Sequence, residues 1–304
     1  MLDAVLLIGF GGPARREEIR SFLDNILRGR PIPPARYEEV VHHYEVMGGR
    51  SPYNEHTERQ AEALRSRLNR DGLEIPVVVG MRNWNPYIVD TLRELTVRGA
   101  RNVLGFILAA HRCEASWERY QAAVDDAREK IGSGAPQVEY PAPWHTHPKF
   151  IEAAAARVDE AIANMDRDDA ERAELIFTAH SIPAPMDAVS GYANQIRESA
   201  ELVASRLHRY SWSLAFQSRS GSPRDPWLEP DISDVIRKLD ARPAIVMPIG
   251  FLCDHVEVLY DLDVEAANVA RECGLTMVRA GTVGDHPAFI DLIAETVGVH
   301  LHGR

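Results

Sequence analysis

Cysteine is scarce and scattered in this chain. Its 304 residues include only Cys113, Cys253 and Cys273. They are odd in number, far apart and never in a CxxC pair, which argues against a disulfide framework, a structural zinc site and a cysteine-ligated iron–sulfur cluster. A reducing cytoplasm is the compartment that fits. Long apolar runs are missing as well: none reaches the ~18 residues of a membrane helix. Met1 to Leu7 runs straight into a strand without a basic leader, so no signal peptide is expected. Basic residues are outnumbered, 34 Lys and Arg against 45 Asp and Glu, for a formal net charge of −11. That balance excludes a nonspecific nucleic-acid binder. The one notable basic stretch, Arg28-Gly29-Arg30, is too short for a phosphate-tracking surface. Gly9 to Pro13 follows the first apolar run as a phosphate-binding turn would. It has Ala14 where G-x-G-x-x-G needs glycine, no Walker lysine, and a proline that removes a backbone donor, so nucleotide binding is discounted. A G-x-S-x-G elbow is absent too.

What is present is a regular alternation. Short apolar runs at Ala4–Gly9, Val77–Met81, Val103–Leu108, Gln137–Tyr140, Leu175–Thr178, Ser213–Phe216, Ala244–Pro248 and Thr276–Arg279 read as strands. Helix-period segments separate most of them: Glu55–Asn69, a helix opened by Pro86, Glu114–Ile131, Lys149–Met165, a loop and helix in Asp187–Leu207, and His286–Leu301. This is the pattern of parallel sheets in βαβ units. A length of 304 residues holds two such domains. Gly132 to Pro136 is the best linker signal, so the expected domains are residues 1–135 and 136–304, with the last helix (286–302) free to pack on the first. The halves share a short echo, His111 after Leu108-Ala-Ala and His180 after Phe177-Thr-Ala.

Two segments carry the chemistry. Phe177 to Pro183 puts His180 at the end of a buried strand, where ligands of open parallel sheets sit and where an imidazole can exchange protons near neutral pH. The stretch from Pro248 to Glu265 follows another strand and places Glu257, Asp261 and Glu265 four apart. Each such step turns an α-helix by about 40°, so the three share a face. Val258, Leu259, Leu262, Ala266, Val269 and Ala270 form its buried stripe. Two readings of the acidic face stand. In one, Asp254 caps the helix with Glu257 reaching back, and the others are solvated. In the other, a ladder of oxygen ligands leads from His255 and Glu257, holding a divalent ion loosely enough to pass it on. His111, His255, Phe10, Trp84, Trp144, His145 and Gln217 also fall at or near strand ends and converge if the sheets are parallel. Trp227, in a turn-rich segment, is the tryptophan best placed for a cleft. Arg28 and Arg30 could clamp a ligand's carboxylates.

Taken in order, Gly9 to Pro13, Gly48 to Pro52, Phe177 to Pro183, Gln217-Ser218 leading to Pro226-Trp227-Leu228, and Asp254-His-Val-Glu257-Val-Leu-Tyr-Asp261 resemble the ferrochelatase family over nearly the whole chain. The third and fifth motifs are highly specific. The resemblance implies a chelatase-like α/β fold: two similar doubly wound domains, each a four-stranded parallel sheet flanked by helices, with the active-site cleft between them. It implies insertion of ferrous iron into a porphyrin in haem biosynthesis, with His180 as the base and metal ligand and Glu257 its acidic partner. The pair would face each other across a slot wide enough for the macrocycle. Asp261 and Glu265 would continue the line to an outer metal position, relaying protons or supplying metal. Phe10, Arg28, Arg30, Ser51, Trp84, His111, His145, Gln217 and Trp227 would meet the porphyrin. The short segment between the Gly12-Pro13 turn and Gly48 resembles soluble bacterial members, some of which use coproporphyrin III. That substrate has four propionates and suits an arginine-lined mouth. Phe10 stands where relatives have Tyr or Met and cannot ligate iron; His145 stands where some have Tyr. No tightly bound cofactor and no iron–sulfur cluster are expected, Fe²⁺ being a substrate. A cytoplasmic monomer is expected, with a haem-pathway enzyme or iron donor as possible partner and neither nucleic acid nor a transmembrane segment. The alternatives are a chelatase for another metal or tetrapyrrole, and a noncatalytic porphyrin or haem carrier on the same fold.

Overall fold

The inner strands are mostly apolar in sequence and buried almost throughout. Ala4–Gly9 (β1) is buried at all six positions, as a strand covered on both faces must be. It pairs in parallel with Val77–Met81 (β2) and Asn102–Ile107 (β3), and β3 pairs with Gln137–Glu139 (β4). Glu174–His180 (β5), Trp212–Gln217 (β6), Ala244–Met247 (β7) and Met277–Arg279 (β8) make a second all-parallel sheet. The orders are β2-β1-β3-β4 and β6-β5-β7-β8, the same topology twice. The computed structural model describes residues 2–208, 211–220, 224–240 and 242–302.

The chain divides into two compact units. One holds Met1–Leu108, Trp117–Ala142 and Ile290–Arg304; the other holds Ala109–Ser116 and Pro143–Phe289. The turn at residues 132–136, where composition suggested a domain boundary, lies inside the first unit, because β4 beyond it pairs with β3. Gly132 (φ 88) ends the helix Glu118–Ile131. The local signal therefore marks a helix stop.

Several helices begin later than periodicity suggests. The helix expected from Glu114 starts at Glu118, since Ser116 Oγ accepts from Cys113 N–H and donates to the His111 carbonyl, fixing a turn over 111–116. The helix expected to open at Pro86 starts at Ile88 because the Pro86 carbonyl accepts from Met81 N–H at 2.7 Å, tying that residue to the end of β2. Among the described residues, no helix is long and apolar enough to cross a membrane.

In the second unit, Ile176 and Val246 of the sheet pack against Ile232, Ile236, Val258, Leu262 and Ala266. Val258, Leu262 and Ala266 are wholly buried. They dock the acidic segment on the sheet through one column of side chains four apart. That segment is a short α-helix, Val256–Val258, continuing as a π-helix over Leu259–Ala266, where a regular α-helix was expected.

Candidate active site

In a doubly wound sheet the crevice opens where the strand order reverses. In the second sheet that point lies between β5 and β7. His180 is the last residue of β5, opposite Gln217 of β6. The loop after β7 crosses the end of β5, held by Gly250 N–H donating to the Thr178 carbonyl at 3.0 Å. Only glycine fits there: a Cβ on Gly250 would lie 2.5 Å from Ala179 Cβ and 2.7 Å from its Cα. This close approach carries Glu257 to His180. Gly250→Ala should therefore lift the loop, lowering the melting temperature by the equivalent of about 1–3 kcal/mol and slowing turnover. An unchanged melting curve and rate would show that the loop's position is not set here.

His180 Nδ1 lies 2.5 Å from the Ser181 carbonyl. A carbonyl can only accept, so Nδ1 carries the proton and Nε2 of the neutral ring is the free acceptor. Nε2 stands 3.9 Å from Glu257 Oε1, with the two side chains 28% and 50% exposed. A flat ring sandwiched between two groups needs about 7 Å, two van der Waals contacts of 3.5–4.0 Å. The expected slot between His180 and Glu257 is therefore not there; the two are neighbours on one wall.

The loop after His180 is fixed independently. Ser181 Oγ donates to the Leu228 carbonyl (2.8 Å), Leu228 N–H to Ile182 O, and Ala184 N–H to Pro226 O. Trp227 makes a bridge with Pro183. The Asp225–Pro230 segment is thus a brace for the histidine loop.

Behind Glu257 the row is uneven. Glu257 and Glu265 are exposed, but Asp261 is only 9% exposed. Ser218, in the left-handed region at φ 61, donates its hydroxyl to Asp261 Oδ2. Burial pushes the Asp261 carboxyl up to about 8; the Ser218 hydrogen bond opposes the shift, and the charges of Glu257 and Glu265 add to it. Asp261 thus holds a proton over much of the neutral range. Among the described residues, no three His, Cys, Asp or Glu side chains lie close enough to hold an ion together. His180, Glu257, Asp261 and Glu265 therefore do not close into one cage.

The π-helix has a cause in a side chain from another strand. Gln217, only 1% exposed, donates its side-chain N–H to the Glu257 carbonyl at 2.8 Å. That oxygen would otherwise accept from residue 261, and a side chain entering the i→i+4 ladder widens the helix. Gln217 is thus a buried brace and offers no surface to a porphyrin. The cap also differs from expectation. His255 is the N-cap, its Nδ1 accepting from Glu257 N–H, while Asp254 is taken by Arg279 and Thr282.

His111 is 2% exposed; its Nε2 faces Ser199 Oγ at 3.0 Å, and its ring lies among His145, Phe150 and Tyr192. Burial pushes its pKa down to about 3, so it is neutral. No face of it is open to a ligand. Its echo with His180 is positional only: His111 follows β3, and the strand in the same place of the second sheet is β7, not β5. His145 is half-buried, with Nε2 2.9 Å from Glu198 Oε2.

In the first unit, Phe10 and Trp84 meet Phe22 edge-on, with centroids 6.3 and 5.9 Å away. Ser51 is 6% exposed, and its Oγ accepts from Tyr53 N–H at the start of a helix. It presses on Gly12, where a Cβ would lie 2.7 Å from its own. Tyr53 Oη and Asn54 Oδ1 take the N–H groups of Phe10 and Gly12. Two N–H groups of the Gly9–Pro13 turn are thus spent internally, and Ser51 serves that packing. Arg28 and Arg30 are exposed at the end of the helix Ile19–Leu27. With Arg82, Arg119 and Lys130 they line a groove of about 770 Å³. Arg82 lies over the Tyr120 ring, and its Nε is buried without a partner. Burial, then the charges of Arg28, Arg119 and Arg30, pull its pKa down, against the opposing influence of Tyr120. The groove's one acidic side chain, Asp126, pairs with Lys130. The described lining of this groove is thus predominantly basic.

Sequence reasoning passed over Arg279, which carries no local signal because its partners lie 16 and 25 residues away. It also passed over Tyr53 and Asn54.

Comparison with known proteins bears on the family and the fold. The Ferrochelatase family model matches residues 2–301. A ferrochelatase of Rhodopirellula baltica is 42% identical over 98% of this chain and 86% of its own. A coproporphyrin III ferrochelatase of Nocardia farcinica is 38% identical over 99% and 89%. Among solved structures, SirB of Bacillus subtilis with Fe³⁺ has the same fold, with a TM-score of 0.62 at 12% identity over 99% of this chain and 98% of that one. With a family model spanning nearly its whole length and relatives matched over 98–99% of it, this chain belongs to the ferrochelatase family.

Proposed function

We propose that the protein inserts ferrous iron into a porphyrin through His180 and Glu257, with coproporphyrin III favoured over protoporphyrin IX. The observation that carries the reading is the His180 imidazole, its Nδ1–H spent on Ser181 and its Nε2 turned towards Glu257 in a partly exposed position. A porphyrin holds its lone pairs in the ring plane and carries two N–H protons. Insertion needs a base to take them. A proton accepted at Nε2 makes an imidazolium, which the carboxylate 3.9 Å away stabilises. Asp261, already protonated behind Glu257, suits proton relay better than binding a cation. Exposed Glu257 and Glu265 are left as the carboxylates that can meet the metal substrate.

The substrate preference rests on the basic groove. Coproporphyrin III presents four carboxylates and protoporphyrin IX two, and a groove of Arg28, Arg30, Arg82, Arg119 and Lys130 rewards the additional pair. Relatives named coproporphyrin III ferrochelatase point the same way.

Anaerobic, absorbance-monitored iron insertion with the two porphyrins side by side tests both statements. Coproporphyrin III should have the higher kcat/KM by about tenfold or more, the worth of one charge-assisted contact. Arg82→Met should narrow that gap by raising KM for coproporphyrin III alone. Equal kcat/KM values would overturn the preference. Porphyrin binding without metal-dependent turnover would favour the carrier reading over the enzyme.

A further inference from the structure

Arg279, the last residue of β8, faces the acidic segment from the edge of the second sheet. Its Nε and Nη2 donate to the two oxygens of Asp263 at 2.6 and 3.0 Å. Nη1 and Nη2 donate to the two oxygens of Asp254 at 3.3 and 3.1 Å. Nη1 also reaches the Ala280 carbonyl at 3.2 Å, and Thr282 Oγ1 donates to Asp254 Oδ1 at 3.0 Å. The guanidinium is 14% exposed. One planar fork thus holds two carboxylates that bracket Glu257 and Asp261 in the chain.

A partly buried ion network of this kind, with Asp263 37% and Asp254 21% exposed, is a poor source of stability, since desolvating the guanidinium offsets much of the attraction. It fixes geometry instead. Bidentate contacts at both carboxylates set angle as well as distance. Asp254 lies in the loop before the short α-helix, and Asp263 lies within the π-helix. Arg279 therefore ties both flanks of the Glu257 turn to β8, itself in register with β7 through Val246. Gln217 holds the same turn from the opposite strand neighbour, β6. Arg279 also occupies the two carboxylates next to the row. Left open, they would compete with Glu257 for a divalent ion.

We propose that Arg279 is a positioning residue for metal delivery: it sets where Glu257 points and keeps Asp254 and Asp263 from binding the metal substrate. The proposal rests on the reading of Glu257 as a working carboxylate. Neither step touches the porphyrin's own contacts.

The test is steady-state insertion with metal and porphyrin varied separately, in Arg279→Met, Arg279→Lys, Glu257→Gln and the double variant Arg279→Met/Glu257→Gln. Arg279→Met should raise KM for ferrous ion by about tenfold to a hundredfold, the scale of a misplaced group, with KM for porphyrin unchanged. Arg279→Lys, a point charge that cannot fork between two carboxylates, should recover only part. The double variant should be no worse than Glu257→Gln alone, because both act through one side chain. Additive losses, or an unchanged metal KM with a lower melting temperature, would overturn the positioning role. A Glu257→Gln enzyme with wild-type insertion would instead overturn the reading of Glu257. Should Arg279→Met not fold, Asp263→Asn decides: a smaller rise in metal KM supports the clamp, and none refutes it.

Discussion

His180→Ala should lose about 10²–10⁴ in kcat, the usual contribution of a positioned base, while still binding porphyrin. Two features of the site make this a clean experiment. The loop after His180 does not depend on the imidazole, because Ser181, Ile182 and Ala184 are tied to the Pro226–Leu228 segment by their own hydrogen bonds. The variant should therefore fold, and its melting temperature should move little. The side chain removed is also the ring whose acceptor nitrogen faces the exposed carboxylate of Glu257. His111, which echoes His180 in sequence, is sealed and neutral, so it cannot substitute. Glu257→Gln should cost less than His180→Ala, since the amide keeps the shape but cannot stabilise an imidazolium. Porphyrin binding is read by the Soret band and by fluorescence quenching, turnover by anaerobic absorbance. Wild-type turnover in His180→Ala would refute the base assignment. Loss of porphyrin binding would make His180 a binding residue.

The inner strands were legible because a parallel strand buried on both faces needs a largely apolar run, and few other segments have one. All eight runs became strands, two with the expected ends and six with ends moved by one or two residues. His180 was legible for the same reason: it ends such a run, ahead of a proline loop. What sequence could not show depends on partners far away in the chain. The π-helix exists because Gln217 reaches the Glu257 carbonyl from 40 residues away. Asp261 looks like its neighbours Glu257 and Glu265 by spacing, yet the widened turn and the Ser218 hydroxyl bring it inside. Glycine at 132 reads the same whether it ends a helix or a domain; only the pairing of β4 with β3 separates the two. The His111 echo failed because four residues carry no information on strand order.

The burial of Asp261 has a measurable thermodynamic consequence. Its carboxyl ionises near 3.8 when exposed and near 8 in the folded protein. Below about pH 4 it is protonated in both states and contributes nothing to the pH dependence. Between about 4 and 8 the unfolded chain has released this proton and the folded one has not. The folded state binds more protons there, so stability falls as pH rises, by roughly 1.4 kcal/mol per unit at most. Above about 8 both states are ionised and the loss is complete. Asp261→Asn copies the protonated form and still accepts from Ser218, so it escapes the slope. Its melting temperature should match wild type near pH 4 and exceed it increasingly towards pH 8, by an amount equivalent to a few kcal/mol. The opposite trend, or a difference that does not change with pH, would mean that Asp261 is ionised in the folded protein. The same variant separates the two duties of the acidic row. An amide can neither release nor take up a proton on this path, so a slower kcat with an unchanged metal KM marks Asp261 as a relay. A raised metal KM with kcat intact marks it as a ligand. The polarity of its surroundings favours the first outcome: bringing a divalent ion to Asp261 would first require ionising a carboxyl that burial keeps neutral.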